Sequence, residues 1–170
     1  MAGQLTSTIL SVGTELTEGS ILNTHFRFLG SALRGLGFYT RRAVQIPDDA
    51  PVFRQELIQA VESTTLVVIT GGLGPTVDDM TRQAAIEAFG GEVEVREDII
   101  ESIRRRFDEI GFEMPGGYLD LARIPAGAEP LENIVGAAPG LAMEQGGCMI
   151  FLLPGVPSEM KVIFDRVVLP

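Results

Sequence analysis

The stretch of this chain richest in chemistry is Thr70-Gly71-Gly72-Leu73-Gly74-Pro75-Thr76-Val77-Asp78-Asp79-Met80-Thr81-Arg82, which follows the apolar run Leu66-Val67-Val68-Ile69. Glycines permit a tight turn and bring bare backbone N–H groups against a ligand, which is how a strand-to-helix loop holds phosphate oxygens. Asp78 and Asp79 oppose that chemistry, because a carboxylate beside a phosphate repels it. The two features agree when a divalent cation, Mg2+ or similar, stands between carboxylates and phosphate. The reading is therefore a metal-assisted phosphate or pyrophosphate site. Its rival gives both aspartates to the first turn of the next helix, where acidic side chains complement the helix dipole.

Two more loops carry a similar mixture: Gly13-Thr14-Glu15 with Gly19 and Asn23, and Pro154-Gly155-Val156-Pro157-Ser158-Glu159-Met160-Lys161. Glu15 is either a second metal ligand or base for water, or an ordinary loop carboxylate. Ser158 either caps a helix or donates its hydroxyl and N–H to phosphate. Arg82 and Lys161, the only lysine, are the basic residues placed to complement phosphate charge, with a solvated surface role as the alternative. His25 is the only histidine and has no partner at a zinc-ligand spacing, so it is expected on the exposed face of the first helix. The run Arg104-Arg105-Arg106 reads as a solvated helix face, and Cys148, before Met149-Ile150-Phe151-Leu152, reads as a buried thiol in a strand.

Alternating strands and helices must position these loops. Residues 8–12, 38–44 and 66–69 read as strands. Residues 24–36 carry Phe28, Leu29, Ala32, Leu33 and Leu36 at helical spacing, with Asn23 or Thr24 to cap the start and Gly37 to end it. A helix through Ser63 starts near Pro51, one over residues 81–89 stops at Gly90-Gly91, and one over 96–110 has the stripe Ile99, Ile103, Phe107 and Ile110. Residues 115–138 are rich in Gly and Pro and hold one expected strand near Glu129-Pro130-Leu131. Apolar segments flanking Gln145-Gly146-Gly147 form a hairpin signal. Alternation of this kind implies parallel pairing, with the ligand crevice beyond the carboxyl ends of the strands.

With 170 residues, of which 45% are hydrophobic, the chain is expected to form one domain over residues 1–170. A net charge of −10 argues against a nucleic-acid surface, so a phosphorylated ligand is small. The start Met1-Ala2-Gly3-Gln4-Leu5 lacks a basic segment followed by an apolar one, and no apolar run nears the roughly 18 residues of a membrane span, so a cytoplasmic location without membrane partners is expected.

In order and content the three loops resemble the molybdopterin-binding domain family that includes MoaB, MogA and the third domain of MoeA. Within it they are most similar to the amino-terminal domains of competence/damage-inducible CinA proteins. The matching residues are Gly13-Thr14-Glu15-Leu16 with Gly19 and Asn23, Thr70 to Thr76 with Asp78-Asp79 and Thr81, and Leu153 to Lys161. The similarity runs from about Thr8 to Pro170. It implies a three-layer α/β sandwich with a mostly parallel, doubly wound sheet, joined by the antiparallel hairpin near the carboxyl terminus. For the CinA branch it also implies divalent-metal-dependent hydrolysis of the pyrophosphate in ADP-ribose and related dinucleotides.

By motif position, the resemblance assigns Asp78, Asp79 and Glu15 to catalysis, with Asp78 and Glu15 as metal ligands. Gly13, Thr14, Asn23, Thr70, Gly71, Gly72, Gly74, Thr81, Arg82, Gly155, Ser158 and Lys161 would bind phosphate or substrate. CinA proteins continue into a second domain resembling a nicotinamide-nucleotide amidohydrolase, and no activity of that domain is implied here. The rival functions are binding of molybdopterin or its precursor with adenylyl transfer, as in the MoaB and MogA branch, and a regulatory nucleotide-binding domain without catalysis. Related domains associate, so a homo-oligomer, dimer or trimer, is expected.

Overall fold

Continuous apolar runs such as Leu66-Val67-Val68-Ile69 suit strands buried on both faces, as parallel strands covered by helices are. In the computed structural model, which describes residues 4–76, 78–90 and 92–168, β1 (Thr6–Val12) and β3 (Leu66–Thr70) have this character. Met1, Ala2, Gly3, Val77, Gly91, Leu169 and Pro170 lie outside the described residues, so the expected helix stop at Gly90-Gly91 is described only for Gly90.

The main sheet runs β2-β1-β3-β8-β7-β6 among the described residues. β2 (Tyr39–Ile46), β1, β3 and β8 (Cys148–Leu153) pair in parallel. β7 (Gly140–Gln145) is antiparallel to β8, and β6 (Glu129–Leu131) is antiparallel to β7. The hairpin turn is Gly146-Gly147, with φ of 60° and 82°. Two successive positive φ values are what a primed two-residue turn demands, and glycine adopts them without a steric penalty. β4 (Val93–Val95) and β5 (Arg123–Pro125) form a separate antiparallel pair that the sequence did not announce, being too short for an alternating pattern.

Helices cover both faces. On one side α2 (Thr24–Gly35) and α6 (Pro157–Ile163) pack Leu29, Leu33, Met160 and Ile163 against Ile9, Val68 and Leu153. Opposite, α3 (Ala50–Ser63), α4 (Thr81–Ala88), α5 (Glu97–Ile110) and a 3-10 segment, Gly116–Ala122, pack Phe53, Leu57, Ala84, Ile103 and Leu121 against Leu10, Val67 and Ile69. Side chains of one strand thus serve two cores by alternation. Asn23 caps α2 by accepting from Phe26 N at 3.0 Å, and Asp49 caps α3 by accepting from Val52 N at 3.0 Å. Burial of one Phe53-sized side chain contributes roughly 1.5–3 kcal/mol against about 1 kcal/mol for a cap, so packing decides where the helices lie.

The three-layer sandwich with its mostly parallel sheet and late hairpin is the expected fold. Two side chains of α5 differ from expectation. Ile110 is 60% exposed, because α5 ends at the left-handed Gly111 beyond the reach of the core, and Ile100 joins the buried stripe instead. Arg106 leaves the solvated face: its guanidinium donates to the carbonyls of Asn133, Ile134 and Gly136 at 2.8–3.0 Å.

Candidate functional site

The loops after β1, β3 and β8 meet at Gly71. Its N–H donates to Leu153 O at 3.1 Å, and a Cβ there would stand 2.2 Å from Val12 O. A φ of +100° makes the position doubly restrictive. Gly155 packs on it, with its own Cβ position 3.2 Å from Gly71 Cα. The convergence expected of the three loops is thus backbone contact between three strand ends. Gly71 and Gly155 form a ridge with a cleft on either side.

One cleft, about 280 Å³, is lined by Gly72, Gly74, Asp79, Tyr118, Gly155 and Glu159 among others. Asp79 is held in it: Oδ2 accepts from Thr76 N at 3.0 Å and from the Thr76 hydroxyl. Neither aspartate belongs to the following helix, since α4 starts at Thr81 with Met80 as its N-cap. The helix-dipole reading of the pair therefore does not apply. Asp78 is exposed and lines neither cleft.

Arg82 differs from its expected part as a free phosphate partner. Buried to 8% exposure, it donates Nη2 to Leu73 O at 2.6 Å and Nη1 to Asp120 O at 3.0 Å. Burial lowers its pKa, and the nearby Asp79 and Asp120 offset part of that. Its work is to strap the glycine loop to the 3-10 segment.

The second cleft, also about 280 Å³, lies towards β1 and α2 and is lined by Glu15, Asn23, His25, Thr70, Gly71 and Gly155 among others. Glu15 is exposed there, on α1 (Thr14–Thr17). Thr14 is committed elsewhere: its N–H and hydroxyl donate to Asp48 Oδ2 at 2.8 and 2.9 Å, while Gly13 N donates to Ile46 O at 2.9 Å. His25 corrects the expectation of an exposed position, being 9% exposed. It continues the buried stripe of Leu29 and Leu33 at four-residue spacing, a signal present in the sequence. Burial, and then the charge of Lys161, push its pKa below the ordinary 6.5, so the imidazole is neutral at pH 7.

Ser158 is not the N-cap of α6. Val156 holds that position, Pro157 follows, and the Ser158 side chain is exposed. Lys161 is exposed, with Nζ 5.5 Å from the centroid of the Phe28 ring. The hydroxyls of Thr70 and Thr81 are buried without a hydrogen-bond partner among the described residues. A buried unpaired hydroxyl costs about 1–3 kcal/mol, so each of the two calls for a partner beyond the described residues, such as an ordered water.

Among the described residues no three acidic, histidine or cysteine side chains gather closely enough to cage a metal. Sequence reasoning passed over Tyr118, Asn133 and Glu159. Tyr118 stacks edge-on against Phe107 with centroids 4.8 Å apart. Asn133 ties the turn before β7 to Glu159, a tertiary arrangement without a local signature beyond the Asn-x-x-Gly turn pattern.

A family model described as "Probable molybdopterin binding domain" matches residues 8–170. A protein of Pyrobaculum aerophilum is 41% identical over 162 residues, covering 95% of this chain and 61% of that protein. A CinA-like protein of Salinibacter ruber is 40% identical over 163 residues, covering 95% of this chain and 40% of that protein. The chain therefore spans about three fifths of the first relative's length and two fifths of the second's. Among solved structures, CinA from Thermoplasma acidophilum superposes with a TM-score of 0.90 at 34% identity, covering 96% of this chain and 95% of that one. MoaB from Thermus thermophilus shares the fold, with a TM-score of 0.64 at 20% identity, covering 96% and 89%.

Proposed function

The chain belongs to the molybdopterin-binding domain family, on its CinA-like side, and from that premise we propose that it hydrolyses the pyrophosphate bond of a nucleotide such as ADP-ribose with the help of a divalent cation. The observation that carries this reading is Asp79, fixed through Oδ2 by Thr76 beside the glycine loop, with Oδ1 unpartnered among the described residues. A carboxylate so held presents an acceptor at low entropic cost in a cleft that otherwise offers backbone donors.

In this mechanism the amides of Gly72, Leu73 and Gly74 receive the diphosphate oxygens, and Thr70 and Thr81 gain their missing partners from ligand or water. Lys161 adds positive charge from α6, complementing the oxygens as they take up charge in the transition state. Asp79 orients the attacking water. When bound, a divalent cation would supply charge neutralisation and an acidified water; Asp79 is the carboxylate of this cleft that would hold it, whereas Glu15 lines the neighbouring cleft and Asp78 lines neither. The test is ADP-ribose turnover with divalent ions and with chelator, in the unsubstituted chain and in Asp79→Ala and Asp78→Ala. Full metal-dependent turnover in both variants overturns the mechanism.

A second reading, binding of a pterin phosphate, draws on Tyr118, which sets an aromatic wall in the same cleft as Asp79. Calorimetry with a molybdopterin precursor against ADP-ribose, with and without divalent metal, separates the two. No helix among the described residues is long and apolar enough to cross a membrane. A cytoplasmic homo-oligomer, dimer or trimer, completes the proposal, and light scattering gives its order.

A further inference from the structure

Glu159 lines the cleft that holds Asp79, yet its carboxylate is secured by a different part of the molecule. Asn133 Nδ2 donates to Glu159 Oε2 at 2.7 Å and also to Ala138 O at 2.8 Å. Asn133 Oδ1 accepts from Val135 N at 3.1 Å and Gly136 N at 2.8 Å, so this buried amide has all its bonds made. Arg106 of α5 closes the same turn from outside through three carbonyls. Gly136 leaves room for the acid: a Cβ there would stand 1.9 Å from Glu159 Oε2 and 2.5 Å from Oε1. Among the described residues Oε2 alone of the two carboxylate oxygens has a hydrogen-bond partner.

We infer that Glu159 is a specificity-determining residue of the cleft, accepting hydrogen bonds from the hydroxyls of a sugar attached to the bound diphosphate, and that Asn133, Arg106 and Gly136 aim it. This rests on the nucleotide reading given above. An ionised carboxylate is repelled by phosphate oxygens and gains from O–H donors, so within a nucleotide diphosphate it selects the ribose, as acidic residues beside dinucleotide sites do. Asp79 and Glu159 then divide the ligand, with Asp79 at the reacting end and Glu159 on the sugar. Each acid occupies the space a side chain on a facing glycine would fill, since a Cβ on Gly74 would stand 2.4 Å from Asp79 Oδ2.

The test compares ADP-ribose turnover with competitive inhibition by inorganic pyrophosphate, which has no sugar. In Glu159→Gln and Gly136→Ala, KM for ADP-ribose rises about tenfold or more, the loss of a charge-assisted hydrogen bond, while kcat and the pyrophosphate inhibition constant stay within about twofold. Gly136→Ala displaces the carboxylate without removing it, the obstructed atoms being the end of a flexible side chain. Asn133→Asp keeps the turn's acceptor, loses the donor to Glu159 and gives the same KM increase. A fall in kcat at unchanged KM, equal weakening of pyrophosphate, or no response to Glu159→Gln overturns this inference alone. Absence of ADP-ribose turnover by the unsubstituted chain overturns the proposed function, and this inference with it.

Discussion

The two clefts beside the Gly71 ridge have similar size and opposite construction. On the Asp79 side both acids of the wall are tied down, Asp79 by Thr76 and Glu159 by Asn133, and Arg82 straps the glycine loop through Leu73 O and Asp120 O. Towards β1 and α2 the wall is Glu15, exposed on a one-turn helix, a neutral buried His25, the unpartnered Thr70 hydroxyl, and Ile21 and Leu22, exposed to 57% and 83%. Rigid acceptors suit the reacting atoms, where small displacements cost rate, whereas an exposed apolar lip suits the variable part of a ligand or a neighbouring subunit. On the proposed function, the difference separates chemistry from accommodation.

Substitutions on the two sides test that division. Asp79→Asn is expected to lower ADP-ribose turnover by about 10²–10⁴-fold, the scale on which a positioned acid or base acts, while Glu15→Gln costs about tenfold or less. A larger loss from Glu15→Gln than from Asp79→Asn inverts the comparison. Arg82→Met removes the strap and leaves two carbonyls without their donor. At about 1–3 kcal/mol for each buried group left unpaired, urea unfolding shows a loss of about 2–6 kcal/mol, with turnover reduced as the loop loosens. Unchanged stability would mean that the strap is ornamental.

His25 sharpens the comparison from the other side. Its folded pKa lies below 6.5, so between the two values the unfolded chain holds a proton that the folded chain does not. Its contribution is present in full above pH 6.5 and is lost as pH falls through the folded pKa, by no more than about 1.4 kcal/mol per pH unit. In His25→Gln the stability profile flattens below pH 6.5, as thermal unfolding across pH 5–8 measures. The smallest effect belongs to Cys148, whose burial pushes the thiol up to about 11. Thiol reagents at pH 8 are expected to modify the folded chain no faster than it opens.

Sequence pattern alone located nearly every element that carries a loop, because burial on both faces writes continuous apolar runs and burial on one writes a helical stripe. Leu66–Thr70 and the stripe of α2 are examples. It missed β4 and β5, where three residues carry no period, and it misplaced His25 although positions 25, 29 and 33 share one face. The convergence of the three loops was legible, since parallel strands put their carboxyl ends together. Which acid faces which cleft was not. That depends on how Thr76 folds back on Asp79 and how a turn some twenty-five residues earlier grips Glu159, contacts with no footprint in local spacing.

β8 has a consequence for the order of assembly. It joins the sheet between β3, far back in the chain, and β7, its immediate predecessor. Hairpin closure is local and fast, but insertion beside β3 closes a long loop, the slow kind of step. Until it occurs Gly71 N lacks Leu153 O and Gly155 has no ridge to complete. During synthesis the ligand site is therefore among the last parts to mature, after translation has passed Gly155. Any ligand that binds only the finished site acts as a latch on the topology, drawing late intermediates forward by mass action.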